Sequence, residues 1–361
     1  MTNFWEKLKK LSDGRQGRPF FCLAPMADVT DAAFRRIIAK HGKPEVFWTE
    51  FVSADGLMSP GGKILKKNLM FTKKERPIVV QLFSANPQKM RQAASYCATL
   101  GFDGIDINMG CPDRNIIKQG SGSALIKDYE RAALIISAAK YGVKDSSKEI
   151  PVSVKTRIGF NKNEVESWVP FLLKQNISAL IIHGRTRKEM SKVNTHWDVI
   201  KRVVEIRDEM KVNTLIIGNG DVKNLEEGRR LAKETGCDGI MIGRGIFGNP
   251  WFFKPLHNNR SKINSKFSQV LGRGGREPGP DHSKILIDFS PITKEKLKVM
   301  VEHTKLFEKL LGDYKKFAIM KKHYKAYVNG FDGAKELRMK LMKSSNAKGV
   351  EKIVKDFLKN L

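Results

Sequence analysis

Eight short runs of apolar or β-branched residues recur between residues 20 and 243, each separated from the next by an amphipathic helical stretch. They are Phe20–Ala24, Val46–Glu50, Ile78–Phe83, Gly104–Asn108, Pro151–Lys155, Ala179–His183, Thr214–Gly218 and Gly239–Gly243. Continuous apolar runs, as opposed to alternating ones, belong to strands covered on both faces, which means a parallel sheet with helical crossovers. Eight such units in about 225 residues fit a closed (β/α)8 TIM barrel better than an open doubly wound sheet. One connecting helix is explicit: Asn86 as cap and Pro87 in the first turn predict a helix over 86–100.

Beyond Trp251 the pattern changes. Residues 258–290 contain NNRSKINSKFSQ and GRGGREPGPDHS, rich in Gly, Asn, Ser and Arg and without periodicity. That composition predicts an extended loop or linker over 258–292, following a barrel domain at 1–257. From Thr293 the helical period returns, with Leu297, Val301, Leu306, Leu310 and Leu311 on apolar faces and no strand pattern. A small all-helical domain of three to five helices is expected at 293–361.

Composition narrows the classes. The 361 residues are 41% hydrophobic and 29% charged, which excludes global disorder. No run approaches the roughly 20 apolar residues that span a bilayer, and MTNFWEKLKK lacks the apolar segment of a signal peptide. Cysteines at 22, 97, 111 and 237 form no C-x-x-C pair, so neither a zinc ribbon nor a disulfide framework is expected. The expectations are a cytoplasmic monomer without metal or membrane association. The net charge is +28, and the last 111 residues carry 25 basic against 11 acidic side chains, half of the excess. A polyphosphate partner rewards such a balance through counterion release, although any single lysine is as readily a solvated face.

Parallel barrels place their chemistry at the carboxyl ends of the strands. There the chain offers Pro25 and Met26 after strand one, Gln81 within strand three, and Asn108 through Cys111 after strand four. Lys155 and Arg157 end strand five, His183 and Arg185 end strand six, and Gly218–Asp221 and Gly243–Gly245 follow the last two. Glycines let a backbone approach an anion, and the loops after strands seven and eight are the usual phosphate site of this fold. With Arg244 they predict a bound phosphate, of a flavin mononucleotide or of a sugar phosphate. Lys155 and His183 lie where a flavin ring could rest, and Gln81 could pair with its pyrimidine edge. Cys111, between Gly110 and Pro112, is a candidate proton donor with an ordinary thiol value of about 8.5. It could instead fill the turn as a small apolar group, the reading taken for Cys22, Cys97 and Cys237.

The motifs LAPMADVTDAAFR, DINMGCP, VKTRIG, IIHGRTR, GNGDV and GRGIFGNPW occur in that order, followed by MKKHYKAYVNGFDGAKELR. Together they closely resemble the tRNA-dihydrouridine synthase family, in its broad bacterial branch, over residues 20–256 and 293–361. The resemblance implies a barrel that binds FMN, a helical tRNA-binding domain, and NADPH or NADH as reductant. It implies hydride delivery to C6 of a uracil and protonation of C5 by Cys111. It places Pro25, Met26 and Ala27 under the flavin, Gln81, Lys155 and His183 around its ring, and Asn219, Gly220, Asp221, Gly243 and Arg244 at its phosphate. Asn108 and Arg157 would hold the uracil, and Arg185 and Arg187 would line the RNA-facing mouth. A uracil inside folded RNA must be swung out to be reached. Lys315, Lys316, Lys321, Lys322, His323, Lys325 and Arg338 are therefore expected to form a basic helical surface, with Tyr324 and Tyr327 packing or stacking. Two other readings stand beside this one: a flavin barrel acting on a free pyrimidine, like dihydroorotate dehydrogenase, and a tRNA-binding protein that has lost catalysis.

Overall fold

The computed structural model describes residues 4–13, 18–254 and 291–359. Its eight strands are β1 (Phe20–Leu23), β2 (Phe47–Ser53), β3 (Ile78–Phe83), β4 (Gly104–Met109), β5 (Val152–Arg157), β6 (Ala179–His183), β7 (Leu215–Asn219) and β8 (Gly239–Ile242). All pair in parallel in the order β1-β8-β7-β6-β5-β4-β3-β2. A parallel bridge between Cys22 and Val46 brings β1 to β2 and closes the ring. The expected (β/α)8 barrel is the fold.

The helices that wrap it are α2 (Ala32–His41), α3 (Pro87–Thr99), α4 (Tyr129–Asp145), α5 (Val165–Lys174), α6 (Trp197–Glu209) and α7 (Leu225–Thr235). Side-chain caps start several of them. Asp31 accepts from the Phe34 amide, Asn86 from Lys89, Asp128 from Arg131 and Asn224 from Glu227. Between β2 and β3 the chain makes only short helical turns, at Ala54–Leu57, Pro60–Gly62, Lys63–Lys66, Lys67–Leu69 and Lys73–Glu75.

An additional helix precedes the barrel. Helix α1 (Phe4–Asp13) carries Trp5, whose ring centroid lies 5.9 Å from both Phe20 and Trp48. With Leu8 it joins an inner cluster of Val79, Ile181, Leu215, Ile217 and Met241. The amino-terminal segment is thus packed against the barrel interior.

Residues 291–359 form four helices: α8 (Pro291–Leu311), α9 (Met320–Tyr327), α10 (Ala334–Lys343) and α11 (Ala347–Lys359). Leu297, Met300, Thr304, Phe307 and Leu311, three or four residues apart, form the main buried face of α8, with Val299 and His303 buried beside them. They pack with Leu337, Leu341, Val350 and Val354 into a core that also takes in Ala33 of α2. At Gly248, where φ is +69°, an added Cβ would lie 2.0 Å from the Ala326 carbonyl of α9. Only glycine permits that approach. Of the expected linker over 258–292, residues 258–290 lie outside the described residues and Pro291 opens α8, and no described helix is long and apolar enough to cross a membrane.

One buried ion pair fastens these helices to the barrel. The Lys315 ammonium donates to both oxygens of Glu50, at 2.8 and 2.9 Å, and to Asp28 at 3.3 Å, while Glu50 also accepts the Asp28 amide at 2.6 Å. Side chains of Lys315 and Glu50 are 8% and 7% exposed. Lys315→Met leaves that carboxylate buried without its cation and is expected to cost about 3–5 kcal/mol. Lys305→Ala, which breaks the exposed pair with Glu351, is expected to cost far less. Urea midpoints of the two variants check this, and equal losses would remove the buried pair from its role.

Candidate active site

Period two along each strand decides which side chains share the barrel interior. Asp106 and Asn108 fall on one face of β4, Ser153, Lys155 and Arg157 on one face of β5, His183 on β6 and Asn219 on β7, and strand register sets Asn108 beside Lys155 and His183 beside both Arg157 and Asn219. Above them the strand ends open on a cavity of about 720 Å³. Its lining brings together Pro25, Met26, Gln81, Asn108, Cys111, Lys155, Arg157, His183, Arg185, Asn219, Gly220, Asp221, Gly243 and Arg244. Ala27 is exposed and does not line it, and neither does Arg187, whose guanidinium stacks 5.0 Å from the Phe160 ring centroid.

Cys111 follows β4 in a loop tied to its own strand. The amides of Gly110 and Cys111 both donate to Asn108 Oδ1, at 3.1 and 2.9 Å. Arg157 Nε donates to the Gly110 carbonyl at 2.7 Å. The cysteine is 9% exposed. Burial raises its thiol value, with the Asp113 charge adding to that, while the Asp113 amide, Arg157 and Lys155 work the other way. The thiol is therefore protonated at neutral pH.

Lys155 is a desolvated cation of the cavity, with the Asp106 charge only partly offsetting its burial. Its Nζ has no hydrogen-bond partner among the described residues, and burial, reinforced by Arg157, lowers it to about 8. His183 is held well below its ordinary value by burial and then by Arg157, Lys155, Arg185 and Arg244. Arg185 Nη1 donates to His183 Nε2 at 3.3 Å. A guanidinium has only donors, so the neutral ring carries its proton on Nδ1.

The cavity's two buried arginines both bind loop carbonyls, Arg157 wholly so and Arg185 alongside side-chain contacts to His183 and Asp221. Arg157 Nη1 donates to the carbonyls of Thr186 and Met190 at 3.1 and 3.3 Å. Arg185 Nε donates to Val193 O at 2.7 Å. Both brace the loop after β6. Asp221 receives Arg185 Nη2 on one oxygen and Arg244 Nη2 on the other, the latter at 2.7 Å. Burial works to raise its carboxyl, but these two partners hold it below the usual range. Asp221 thus offers a phosphate its backbone, because its carboxylate already neutralises two cations. Gly220, with φ of +145°, passes so close to Thr195 that an added Cβ would lie 2.4 Å from its methyl group.

Several lining residues had no signal in the sequence reading. Phe51 belongs to the second half of β2, which continues three residues past Glu50 beyond an irregularity between Trp48 and Phe51. Ser191, Asn194 and Thr195 enter from the loop after β6 and Trp197 from the start of α6, a stretch that carries no strand-end pattern.

The basic residues expected on the helices divide. Lys322 and Lys325 are exposed and Lys321 half-buried. His323 is 2% exposed, so its expected place on the RNA-facing surface is corrected: it lies in the core, 4.7 Å from His303 and 5.5 Å from Phe34 by ring centroids. Helical period puts His323, Tyr324 and Tyr327 on the inward face of α9. Lys315 is likewise inside, in the pair with Glu50. Arg338 is half-buried and donates to the Val328 carbonyl at 2.7 Å, and it lines a second cavity with Lys325, Lys335, Lys340 and Lys343. None of these tail residues lines the barrel cavity.

The family model described as "Dihydrouridine synthase (Dus)" matches residues 22–361. The chain belongs to the dihydrouridine synthase family. It is 37% identical over 358 residues to the "Probable tRNA-dihydrouridine synthase" of Staphylococcus aureus (strain COL), covering 98% of this chain and 95% of that one. It is 38% identical over 357 residues to the "Probable tRNA-dihydrouridine synthase 2" of Bacillus subtilis (strain 168), covering 98% and 96%. Among solved structures, a 2-naphthoyl-CoA reductase complexed with 2-naphthoyl-CoA superposes with a TM-score of 0.50 at 10% identity, over 65% of this chain and 49% of that one. That likeness is one of fold. Among the described residues no cluster of three or more His, Cys, Asp or Glu could hold a metal.

The depressed Lys155 has a measurable consequence in the family's fold. Between about pH 8 and 10.5 the unfolded chain binds a proton at Lys155 that the folded chain has released, so this residue makes stability rise with pH across that window. Urea unfolding of the ligand-free protein from neutral to alkaline pH should show the parent gaining on Lys155→Met as pH rises. Parallel curves would mean that Lys155 is not desolvated.

Proposed function

We propose that the barrel mouth binds flavin mononucleotide and a uracil side by side, so that uridines of tRNA are reduced at C5=C6 to dihydrouridine with NADPH or NADH as reductant. The family and its full-length relatives carry the reaction class, oxidoreduction of tRNA uridine. The single observation that carries the site assignment is the convergence of a protonated, loop-held Cys111 and a partnerless Lys155 on one cavity ending in two glycine loops. A basic helical tail and full-length relatives named for tRNA favour this over the free-pyrimidine reading.

The residues present suit the flavin. Gly220, Gly243 and the backbone of Asp221, with Arg244 beside them, offer amides and charge to a phosphate. Lys155 brings an unpaired ammonium to the ring, and neutral His183 brings an Nδ1–H donor. Pro25 and Met26 supply an apolar floor. When bound and reduced, the flavin supplies a hydride to C6 of the uracil. Negative charge then gathers along C5, C4 and O4, and a positioned acid must deliver a proton to C5. Cys111 is that acid: burial keeps its thiol protonated, and Asn108 and Arg157 hold its loop at the mouth. The tail helices, through Lys321, Lys322 and Arg338, grip the RNA backbone while the target base is swung out. The setting is the cytoplasm, where the protein acts as a monomer.

Purified protein is expected to be yellow and to release about one flavin mononucleotide per chain on denaturation. Arg244→Ala should weaken retention by roughly tenfold or more, the loss of one charge-assisted contact; an unchanged flavin affinity would move the phosphate elsewhere. For Cys111→Ala, flavin reduction by NADPH should proceed as in the parent. Anaerobic stopped-flow reoxidation by tRNA should slow by about 10²–10⁴-fold. In cells lacking the gene, the parent should restore dihydrouridine in tRNA and the variant should not. Parental activity of the alanine variant would return Cys111 to a structural role.

A further inference from the structure

A chain of hydrogen bonds runs inside the barrel from β5 to the Cys111 loop. Ser153 Oγ donates to Asp106 Oδ1 at 2.6 Å, and Gln81 Nε2 donates to Asp106 Oδ2 at 2.6 Å. Asn108 Nδ2 donates to Gln81 Oε1 at 2.9 Å. Asn108 Oδ1 accepts the amides of Gly110 and Cys111 at 3.1 and 2.9 Å. Asp106 and Gln81 are fully buried, Ser153 is 1% exposed and Asn108 7%.

The ends of this chain have fixed polarity. A carboxylate only accepts, and a backbone N–H only donates. The two amides between them must therefore point one way. Turning either would set oxygen against oxygen or N–H against N–H, where little water can relieve the mismatch. Asp106 does not line the cavity and reaches the loop only through Gln81 and Asn108. Burial pushes its carboxyl up to about 6, while Ser153, Gln81 and Lys155 pull it back toward ionisation, so the acceptor form prevails at neutral pH.

We propose that Asp106 is a positioning residue whose carboxylate directs the Gln81 and Asn108 amides and thereby holds the Cys111 loop in place. Its consequence for catalysis rests on Cys111 being the proton donor; its consequence for the loop does not.

The test reverses the polarity of the chain. In Asn108→Asp, position 108 becomes acceptor-only, so Gln81 must turn its NH₂ toward it and leave its oxygen facing Asp106. Adding Asp106→Asn supplies an amide that donates to that oxygen and still accepts from Ser153. Every group is then partnered again. The readout is alkylation of Cys111 by iodoacetamide at about pH 8, followed by mass spectrometry on the folded full-length protein. Cys22, Cys97 and Cys237, buried in the barrel, report any global opening.

Asn108→Asp should raise the Cys111 rate by about fivefold or more, because the repulsion left between Gln81 Oε1 and the Asp106 carboxylate displaces residue 108 and with it the loop it holds. The double variant should return it to within about twofold of the parent, with the other cysteines unmoved throughout. An unchanged single variant, or a double variant no slower than the single, overturns the proposal. Should Asn108→Asp not fold, Asp106→Asn and Asp106→Leu give the same decision. The asparagine keeps an acceptor for Gln81 and should behave as the parent, the leucine should expose Cys111, and equal rates in the two overturn the proposal. If Cys111→Ala reduces tRNA at the parental rate, the acid role falls while the alkylation result stands.

Discussion

Closure of the eight strands is the constraint on which the rest depends. A closed parallel ring sends alternate side chains into an interior too narrow to stay empty, so each layer must be filled. The lower layers are filled by Val79, Ile181, Ile217 and Met241, with Trp5 and Trp48 against them. Higher up the same alternation delivers Gln81, Asn108, Lys155, His183 and Asn219. These polar groups are tolerable there because the barrel opens above them. The seam at Cys22–Val46 is a single bridge, and α1 packs across Phe20 and Trp48 on either side of it. A helix without strand-end residues therefore covers the seam where the ring closes.

The barrel was legible because its signal is repeated and local. Each of Ile78–Phe83 and Ala179–His183 reads as a buried strand on its own, and both stand with those bounds. The end of β2 was not legible: Glu50 looks like a strand terminus, but it is buried in an ion pair with a residue 265 positions away. Lys315 was misplaced for the same reason. A single lysine in a basic tail gives no sign that its partner lies in another part of the chain. His323 was placed on a surface because its neighbours are lysines, while the period of α9 turns it inward with Tyr324 and Tyr327. Most of the candidate site was legible as membership, since strand-end position selects it. What each donor does was not, because a guanidinium bound to carbonyls has the same sequence signature as one facing a ligand.

The tail combines two functions of its residues on short helices. Leu297, Met300 and Phe307 bury α8 against its neighbours and α2, while Lys322, Lys325 and Lys340 remain outside. The inward face includes His303 and His323, both fully enclosed among Phe34, Phe247 and Tyr327. Burial keeps both rings neutral, so apart from Lys315, which is paired with Glu50, the inward face carries little charge.

The cavity itself is strongly cationic, yet its two buried arginines have few donors left for a ligand. Arg157 and Arg185 bind carbonyls of the loops they brace, for which a rigid guanidinium fork suits better than a flexible ammonium. Their charge remains even though most of their donors are used. It lowers Lys155, keeps His183 neutral and bears on Cys111. Acting alone, Arg157 and Lys155 would favour a thiolate, the form needed for a nucleophile. Burial of the loop outweighs them, and the thiol keeps its proton. A protonated acid beside desolvated cations is the arrangement that proton delivery to a developing anion requires: the cations stabilise the charge as it forms, and burial withholds the proton until there is a base strong enough to take it.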